Sequence, residues 1–348
     1  MQFAHFCIGC IFTKNNIFYV IYDIIFTEDN TMKYTINSSD SINETLSKMK
    51  EGDSLFLQNG IYKEKVVILI NNILLEGESK DGVIITNHDW FTKIMPDFNE
   101  CNTFRTATLL VAGENVTLKS LTVENSSVPS SKYGQALALY AEGDNFKAEN
   151  VILKSAQDTL FTGPLSLDLI ERHQGFLPEY QLRGKKSRQI YSNCDIYGDV
   201  DFIFGAAQAL FINCNIISID RGGTDGIDGF ICAPSTYKED KYGYLFYKCN
   251  LKKESGVHNV YLARPWRDYG SAAFIECNLD DHINPEGFNP WGNTGRDKTA
   301  RFYEYNEKAD LSKRVKWAKM LNKDEANALV NEFFNLVGRT KVNFQFPL

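Results

Sequence analysis

Two short stretches of the sequence carry aspartates that could act chemically. GDVDFIFG (198–205) places Asp199 and Asp201 directly before large apolar residues, and SAQDTLFTG (155–163) places Asp158 after Gln157. If 198–205 is a strand, both of its aspartates share one face with Ile203. A carboxylate beside so much hydrocarbon loses hydration and needs a partner. The opposite, apolar face then consists of Val200, Phe202 and Phe204.

A third stretch, YLARPWRDYG (261–270), offers a cationic partner in Arg264. Taken from the residues alone, a pair between Asp201 and Arg264 is either part of a reactive site or a buried structural ion pair. Two carboxylates in one cleft also suit more than one reaction, because such pairs cleave glycosidic bonds in many glycosidases. Which of these functions applies depends on the secondary-structure elements that position these residues.

Those elements are predicted to be short strands. A capping-box pattern of Ser41 and Glu44 predicts one short helix over Ser41–Lys50, and strand-like runs broken by Gly, Asn and Asp then continue to about residue 280. An imperfect repeat runs through them. Its copies are LKSLTV (118–123), AENVIL (148–153), YSNCDI (191–196), FINCNI (211–216), FYKCNL (246–251) and FIECNL (274–279).

The spacing of this repeat predicts a solenoid. The central positions of its copies are separated by 30, 43, 20, 35 and 28 residues, which fits one coil of about twenty residues with loops of different length. In a parallel β-helix the same inward position stacks from coil to coil. The sequence therefore predicts a ladder of small buried side chains with no metal-binding role: Cys194, Cys214, Cys249 and Cys277.

Stacked coils also bring distant residues together. Asp158 and Asp201 are 43 residues apart, which fits adjacent coils, and Arg264 follows two or three coils later on the same side. Because Gln157 and Asp158 are neighbours, a regular strand would point them to opposite faces. Both reach one cleft only if the strand ends, bends or bulges at that point.

QDTLF, DFIFG and LARPW, in this order, resemble the motifs of the pectin methylesterases, or pectinesterases, a family of carbohydrate esterases. The resemblance runs from about Tyr34 to residue 340 and includes NGIYKEKV (59–66), TFRTATLLV (103–111) and RVKWAK (314–319). It implies a right-handed parallel β-helix, which agrees with the repeat. It also implies hydrolysis of the C6 methyl esters of galacturonate units in pectin.

Roles for individual residues follow from this resemblance. Asp201 matches the family's nucleophile, Arg264 would hold it and keep it ionised, and Asp158 matches the general acid. Gln157 and Gln135 match the donors to the tetrahedral anion. The resemblance implies no metal and no organic cofactor. The predicted walls of the sugar-binding cleft are Trp266, Phe161 and Phe202.

Two other functions stay open at this point, a β-helical glycosidase and a non-catalytic pectin-binding protein. The glycosidases of similar architecture resemble a different motif set, with clustered Asp pairs and a Gly-His-Gly that this sequence lacks. Cys101, His173 and His258 receive no function. The predicted partners are methyl-esterified galacturonan chains or oligosaccharides, with no membrane and with a monomer as the default.

The stretch 162–188 departs from the family pattern, which has a short turn there. It is long for a connection and is predicted to form one wall of the cleft. Its basic residues could meet substrate carboxylates, although a solvated charge cluster is the plainer reading. These residues are Lys185, Lys186 and Arg188.

Net charge and the two ends of the chain bear on its partners, its location and its domain bounds. The net charge of −7 and the lack of a basic run disfavour nucleic acid as a partner, and an acidic protein binds an acidic polymer only where cations lie in its cleft. We expect residues 1–31 to be an extension and 32–348 a single domain beginning at Met32. No clear export signal is seen, so a cytoplasmic location is expected, with secretion as the alternative. The helix near residue 45 and the last forty residues are predicted to cover the ends of the solenoid.

Overall fold

The computed structural model describes residues 7–13, 16–22, 31–222 and 226–338. Strands and helices are numbered along the chain. Within the predicted extension over 1–31, β1 (Cys7–Thr13) and β2 (Asn16–Tyr22) pair antiparallel in a two-stranded sheet of their own. Most of the remaining predicted extension lies outside the described residues, as does the tail after residue 338.

Three sheets of parallel strands form the body of the molecule, and in each sheet every strand pairs with the next one in chain order. The eleven-stranded sheet contains β3 (Lys33–Ile36), β4 (Ser54–Leu57), β7 (Leu74–Gly77), β10 (Thr117–Lys119), β13 (Phe146–Glu149), β16 (Arg188–Ser192), β19 (Gln208–Ile212), β22 (Tyr244–Tyr247), β25 (Ser271–Ile275), β27 (Arg301–Tyr305) and β28 (Lys319–Met320).

The other two sheets are shorter. The eight-stranded sheet contains β5 (Gly60–Lys63), β8 (Val83–Asn87), β11 (Thr122–Asn125), β14 (Ile152–Lys154), β17 (Asp195–Gly198), β20 (Asn215–Ser218), β23 (Asn250–Lys253) and β26 (Asn278–Leu279). The seven-stranded sheet contains β6 (Val66–Ile68), β9 (Leu109–Val111), β12 (Leu139–Ala141), β15 (Leu160–Thr162), β18 (Val200–Gly205), β21 (Gly229–Pro234) and β24 (Val260–Ala263).

From β4 to β26 the chain visits the eleven-, eight- and seven-stranded sheets in turn, so the fold is the predicted right-handed parallel β-helix. Short helices interrupt the coils. They are α1 (Ile42–Leu46), α2 (Ser130–Tyr133), α3 (Leu167–Arg172) and the 3-10 turns Thr103–Arg105, Glu179–Gln181 and Arg296–Lys298, and a longer helix, α4 (Lys323–Gly338), follows the last strand.

The repeat seen in the sequence marks a corner of the solenoid. The residue before each central position has a left-handed backbone, with φ between 52° and 55°, which turns the chain from the eleven-stranded to the eight-stranded sheet. Asn tolerates this conformation best among residues other than Gly, which explains its recurrence there. The six corner residues are Ser120, Asn150, Asn193, Asn213, Lys248 and Glu276.

The predicted cysteine ladder is confirmed, because the four repeat cysteines are buried, free thiols within the interior core. An aromatic ladder runs beside them on the eleven-stranded sheet. Its rings stack at 4.7, 4.6 and 4.5 Å, close to the spacing between strands. The stacked residues are Tyr191, Phe211, Phe246 and Phe274.

The two ends of the solenoid are covered differently. At the first coil, Ser41 accepts a hydrogen bond from the Glu44 amide at 3.1 Å, and α1 packs Ile42 and Leu46 into the interior core as predicted. At the last coil, Trp317 of the irregular tail packs on Phe302 at 5.6 Å and covers the core.

Helix α4 corrects the prediction that the whole tail covers the open end. Its buried residues, among them Leu329 and Phe333, pack against the outer face of the eleven-stranded sheet, on Leu210 and Leu245. That face carries alternate strand residues that point away from the interior and are apolar, so it needs cover as much as the open end does.

Candidate active site

The predicted reactive residues line one open cleft of about 530 Å³ beside the seven-stranded sheet. This volume is in the usual range for small-molecule sites. The cleft contains all five predicted reactive residues together with Trp266. These six are Gln135, Gln157, Asp158, Asp201, Arg264 and Trp266.

Asp201 reaches the cleft because β18 contains a bulge. Between Val200 and Ile203 the pairing with β21 shifts by one residue, and Asp201 has a left-handed backbone with φ of 49°. Bulges are common beside functional sites, where they redirect a side chain. The predicted alternation along 198–205 is therefore wrong, since Phe202 and Ile203 both enter the interior core.

The predicted pairing of Asp201 with Arg264 is confirmed. Arg264, which directly follows β24, donates from Nε to Oδ1 at 2.7 Å and from Nη2 to Oδ2 at 2.6 Å. Its guanidinium lies 3.7 Å from the ring centroid of Phe230 and 3.9 Å from that of Trp291. A planar group held between two rings and bonded at two points has a fixed orientation, and so does the carboxylate it binds.

Asp158 lies on the preceding coil, in a turn before β15. Gln157 forms only an isolated bridge, and the φ of 65° at Asp158 turns the chain there, so both neighbouring side chains reach the cleft. The amide of Asp158 donates to the carbonyl of Val200 at 3.1 Å, which ties the turn to the strand that carries Asp201.

The two carboxyls differ in their surroundings. Burial raises the pKa of Asp158 well above its usual value, and the charges of Asp201 and Asp199 add to this rise. Burial also raises the pKa of Asp201, but the hydrogen bonds from Arg264 offset part of that rise. Asp158 thus keeps its proton to higher pH than Asp201, which ionises first.

Gln135 and Gln157 occupy matching places on neighbouring coils. They form an isolated parallel bridge, and the Ala136 amide donates to the Gln157 carbonyl at 3.1 Å. Both side chains line the cleft beside Asp158. This arrangement offers two amide donors to one developing anion.

The aromatic walls differ in part from the prediction. Trp266 lines the cleft, but Phe161 is fully buried beneath it, between Phe104 and Phe204, and Phe202 lies in the interior core. The cleft-wall predictions for Phe161 and Phe202 are therefore wrong. Phe204 and Trp291 line the cleft instead. The bulge in β18 turns Phe204 toward the cleft. Trp291 lies in NPWGNTG, which is not one of the motifs that carry the family resemblance.

The stretch 162–188 forms one wall of the cleft, as predicted, through Leu169, Arg172 and His173. The three basic residues named in the prediction lie outside the cleft and pair with the chain's own carboxylates. The pairs are Lys185 with Glu114 at 3.9 Å, Lys186 with Asp240 at 2.5 Å and Arg188 with Asp144 at 2.5 Å. The plainer reading of these three residues, a charge cluster, thus fits the structure.

A family model described as Pectinesterase matches residues 23–165 and 177–336. The chain belongs to the pectinesterase family. The match begins before Tyr34, the residue at which the sequence resemblance starts. It breaks over 166–176, within the stretch that departs from the motif pattern. α3, which carries Arg172, lies in this break.

Curated members of the pectinesterase family are similar over most of this chain. Probable pectinesterase 8 of Arabidopsis thaliana is 29% identical over 292 residues, covering 80% of this chain and 66% of that protein. Pectinesterase 2 of Citrus sinensis is 27% identical over 272 residues, covering 76% of this chain and 47% of that protein. The chain spans about half to two thirds of the length of such relatives.

Solved pectin methylesterases share the fold. The protein from Yersinia enterocolitica is 27% identical with a TM-score of 0.68, covering 83% of this chain and 96% of that one. The protein from carrot is 23% identical with a TM-score of 0.74, covering 92% of this chain and 98% of that one. The second likeness concerns the fold alone.

Between residues 31 and 338, apart from 223–225, no group of three or more His, Cys, Asp or Glu side chains could hold a metal ion. No helix in the described part of the chain is long and apolar enough to cross a membrane.

Proposed function

We propose that this chain hydrolyses the C6 methyl esters of galacturonate units in pectin, releasing methanol and a free carboxylate. The observation that carries the proposal is the paired Asp201 beside the buried Asp158 in one cleft. Ester hydrolysis of this kind needs an ionised group to attack the carbonyl and a protonated group to release the alcohol. Membership of the pectinesterase family supports the same reaction.

In the proposed first step, a carboxylate oxygen of Asp201 attacks the ester carbonyl carbon, and the carbonyl oxygen becomes an anion. The side-chain amides of Gln135 and Gln157 donate hydrogen bonds to that oxygen. One donor of this kind is worth about 3–4 kcal/mol, or a factor of about 10² to 10³ in rate. Asp158 gives its proton to the methoxide oxygen as the C–O bond breaks, and methanol leaves.

The second step restores the enzyme. An acyl anhydride joins the substrate to Asp201, and Asp158 is now ionised. Asp158 takes a proton from a water molecule, whose oxygen attacks the anhydride. The bond to Asp201 breaks, the substrate leaves as the free acid, and Arg264 again binds the carboxylate of Asp201.

We further propose that methyl-esterified galacturonan chains or their oligosaccharides bind along this cleft. Trp266, Phe204 and Trp291 give it apolar walls of the kind that pack against sugar rings. A pectin methylesterase of the same fold, 24% identical with a TM-score of 0.70, has been solved with a hexasaccharide, which supports a ligand of several sugar units.

Methanol release from esterified pectin tests the proposal. Wild-type protein should release methanol without creating new reducing ends, whereas a glycosidase creates reducing ends and a binding protein releases nothing. Asp201→Ala and Asp201→Asn should both lose at least about 10³-fold in kcat. Asp281→Ala, which alters an aspartate with a side chain 84% exposed, is the matched control. Methanol release that survives both Asp201 substitutions would overturn the mechanism.

A further inference from the structure

Arginines collect in the cleft although the chain as a whole is acidic, with a net charge of −7. Arg172, Arg264 and Arg267 line it together with the aspartates Asp158 and Asp201. Arg264 is engaged by Asp201, and Asp158 retains its proton. The charge that remains available to a ligand in the cleft is therefore that of Arg172 and Arg267, the arginine pair.

A single carboxylate serves both members of the arginine pair. Asp168 accepts from Arg267 Nε at 3.2 Å and from Arg267 Nη2 at 2.9 Å, and its Oδ2 lies 3.8 Å from Arg172 Nη2. Two guanidiniums against one carboxylate leave a net positive charge at this end of the cleft. The side chain of Arg172 is 65% exposed, so it can turn toward a ligand.

The arginine pair is held next to the aromatic wall. Arg267 follows Trp266 directly, lies 4.6 Å from its ring centroid and donates from Nη1 to its carbonyl at 2.9 Å. Asp168 and Arg172 both lie on α3, so the contact between Asp168 and Arg267 fixes α3 against Trp266. A sugar ring packed on Trp266 would thus have the arginine pair beside it.

We infer that the arginine pair is a subsite for the free carboxylate of a galacturonate unit that has already lost its methyl ester. The inference rests on the proposed function. Asp201 attacks the ester of one galacturonate unit, and the arginine pair binds a second unit of the same galacturonan molecule. A guanidinium binds a carboxylate through charge-assisted hydrogen bonds, and a methyl ester offers no such charge. The protein therefore favours galacturonan that is partly de-esterified over galacturonan that is fully esterified.

The test compares two galacturonate oligosaccharides of equal length, one fully methyl-esterified and one with about half of its esters removed. Methanol release gives kcat/KM for each, and their ratio is the readout. Arg172→Gln should lower the ratio that favours the partly de-esterified oligosaccharide by about three- to fivefold, the range of a partly exposed charge pair. Raising the salt concentration should lower the wild-type ratio in the same direction.

Lys185→Gln is the matched control, because Lys185 is a basic residue of the same stretch, 71% exposed, and faces Glu114 outside the cleft. It should leave the ratio unchanged. If Arg172→Gln keeps the wild-type ratio, or lowers kcat/KM for both oligosaccharides equally, the subsite is wrong while the esterase stands. If the wild type releases methanol from neither oligosaccharide nor pectin, the proposed function itself fails.

Discussion

The hydroxyl of Ser130 donates a hydrogen bond to Oδ2 of Asp199, and this contact joins the two halves of the site. Ser130 begins α2, which leads directly into Gln135, and Asp199 precedes Asp201 by two residues. Asp199 is almost fully buried, and burial raises its pKa to about 6. It is a third carboxylate of the site, and it contributes charge to Asp158 without lining the cleft.

The pH profile of kcat/KM should be bell-shaped, with two limbs of known origin. Activity requires ionised Asp201 and protonated Asp158, so it is lost at low pH as Asp201 gains a proton and at high pH as Asp158 loses its own. The charge of Asp199 raises the pKa of Asp158. Asp199→Asn should therefore move the alkaline limb to lower pH.

Rates of methanol release across the pH range check this prediction, with Asp281→Asn as the control for an exposed aspartate. An alkaline limb that stays in place in Asp199→Asn would show that Asp199 does not act on Asp158.

Removing the guanidinium from Asp201 should damage both catalysis and stability. Arg264→Gln leaves a buried carboxylate with one weaker partner, and breaking such a pair costs about 3–5 kcal/mol. The pKa of Asp201 should rise further, which moves the acid limb of the pH profile to higher pH. Arg264→Lys retains the charge but loses the two-point contact, so its kcat should fall by about 10²-fold with a smaller loss in Tm. An unchanged acid limb in Arg264→Gln would contradict this role.

Glu142 should make the fold less stable as the pH rises. Burial raises its pKa to about 8 from an ordinary value of 4.5, although the Tyr140 hydroxyl and the charge of Arg183 act in the opposite direction. Between these two values the unfolded chain has released the proton that the folded chain keeps. The free energy of unfolding should thus fall from pH 4.5 to 8, by up to about 5 kcal/mol.

Glu142→Gln should remove this dependence and be the more stable protein at pH 8. Urea unfolding at a series of pH values measures it, and Glu114→Gln, at a neighbouring glutamate whose side chain is 45% exposed, is the control. If the free energy of unfolding changes equally with pH in wild type and in Glu142→Gln, Glu142 does not hold a proton in the folded protein.

His282 should make the fold less stable as the pH falls, which is the opposite pH dependence to that of Glu142. It is fully buried, neither ring nitrogen has a partner among the described residues, and burial lowers its pKa to about 4 from 6.5. The unfolded chain gains a proton first as the pH falls, so stability should be lost between pH 6.5 and 4, by about 3 kcal/mol. His282→Phe should flatten this acid side of the unfolding curve, and His258→Gln, at an exposed histidine, should not.

Much of the site could be predicted from the sequence because a solenoid turns matching positions into neighbours. Asp158, Asp201 and Arg264 needed only the order of their motifs and the coil length to be placed together. The corners with left-handed backbone also correspond to a sequence pattern, in which Asn or a charged residue commonly precedes the inward position. These features depend on local backbone preference, which a sequence expresses directly.

Other features depend on tertiary packing, which the local sequence does not encode. Phe202 and Phe204 were expected on one face of the strand, but one extra residue in β18 puts Phe202 in the interior core and Phe204 at the cleft. No signal in DFIFG predicts this bulge. Helix α4 carries an apolar face that would fit either the open end or the side of the solenoid. Arg172 lies in a stretch outside the family pattern, so only its fold placed it in the cleft.

The central claim is that two carboxyls of one cleft hold different protonation states, and infrared difference spectroscopy at pH 7 tests it most directly. Wild type minus Asp158→Asn should contain the carbonyl band of a protonated carboxylic acid. Wild type minus Asp201→Asn should contain the bands of an ionised carboxylate. Loss of an ionised carboxylate in Asp158→Asn, or of a protonated acid in Asp201→Asn, would contradict the account.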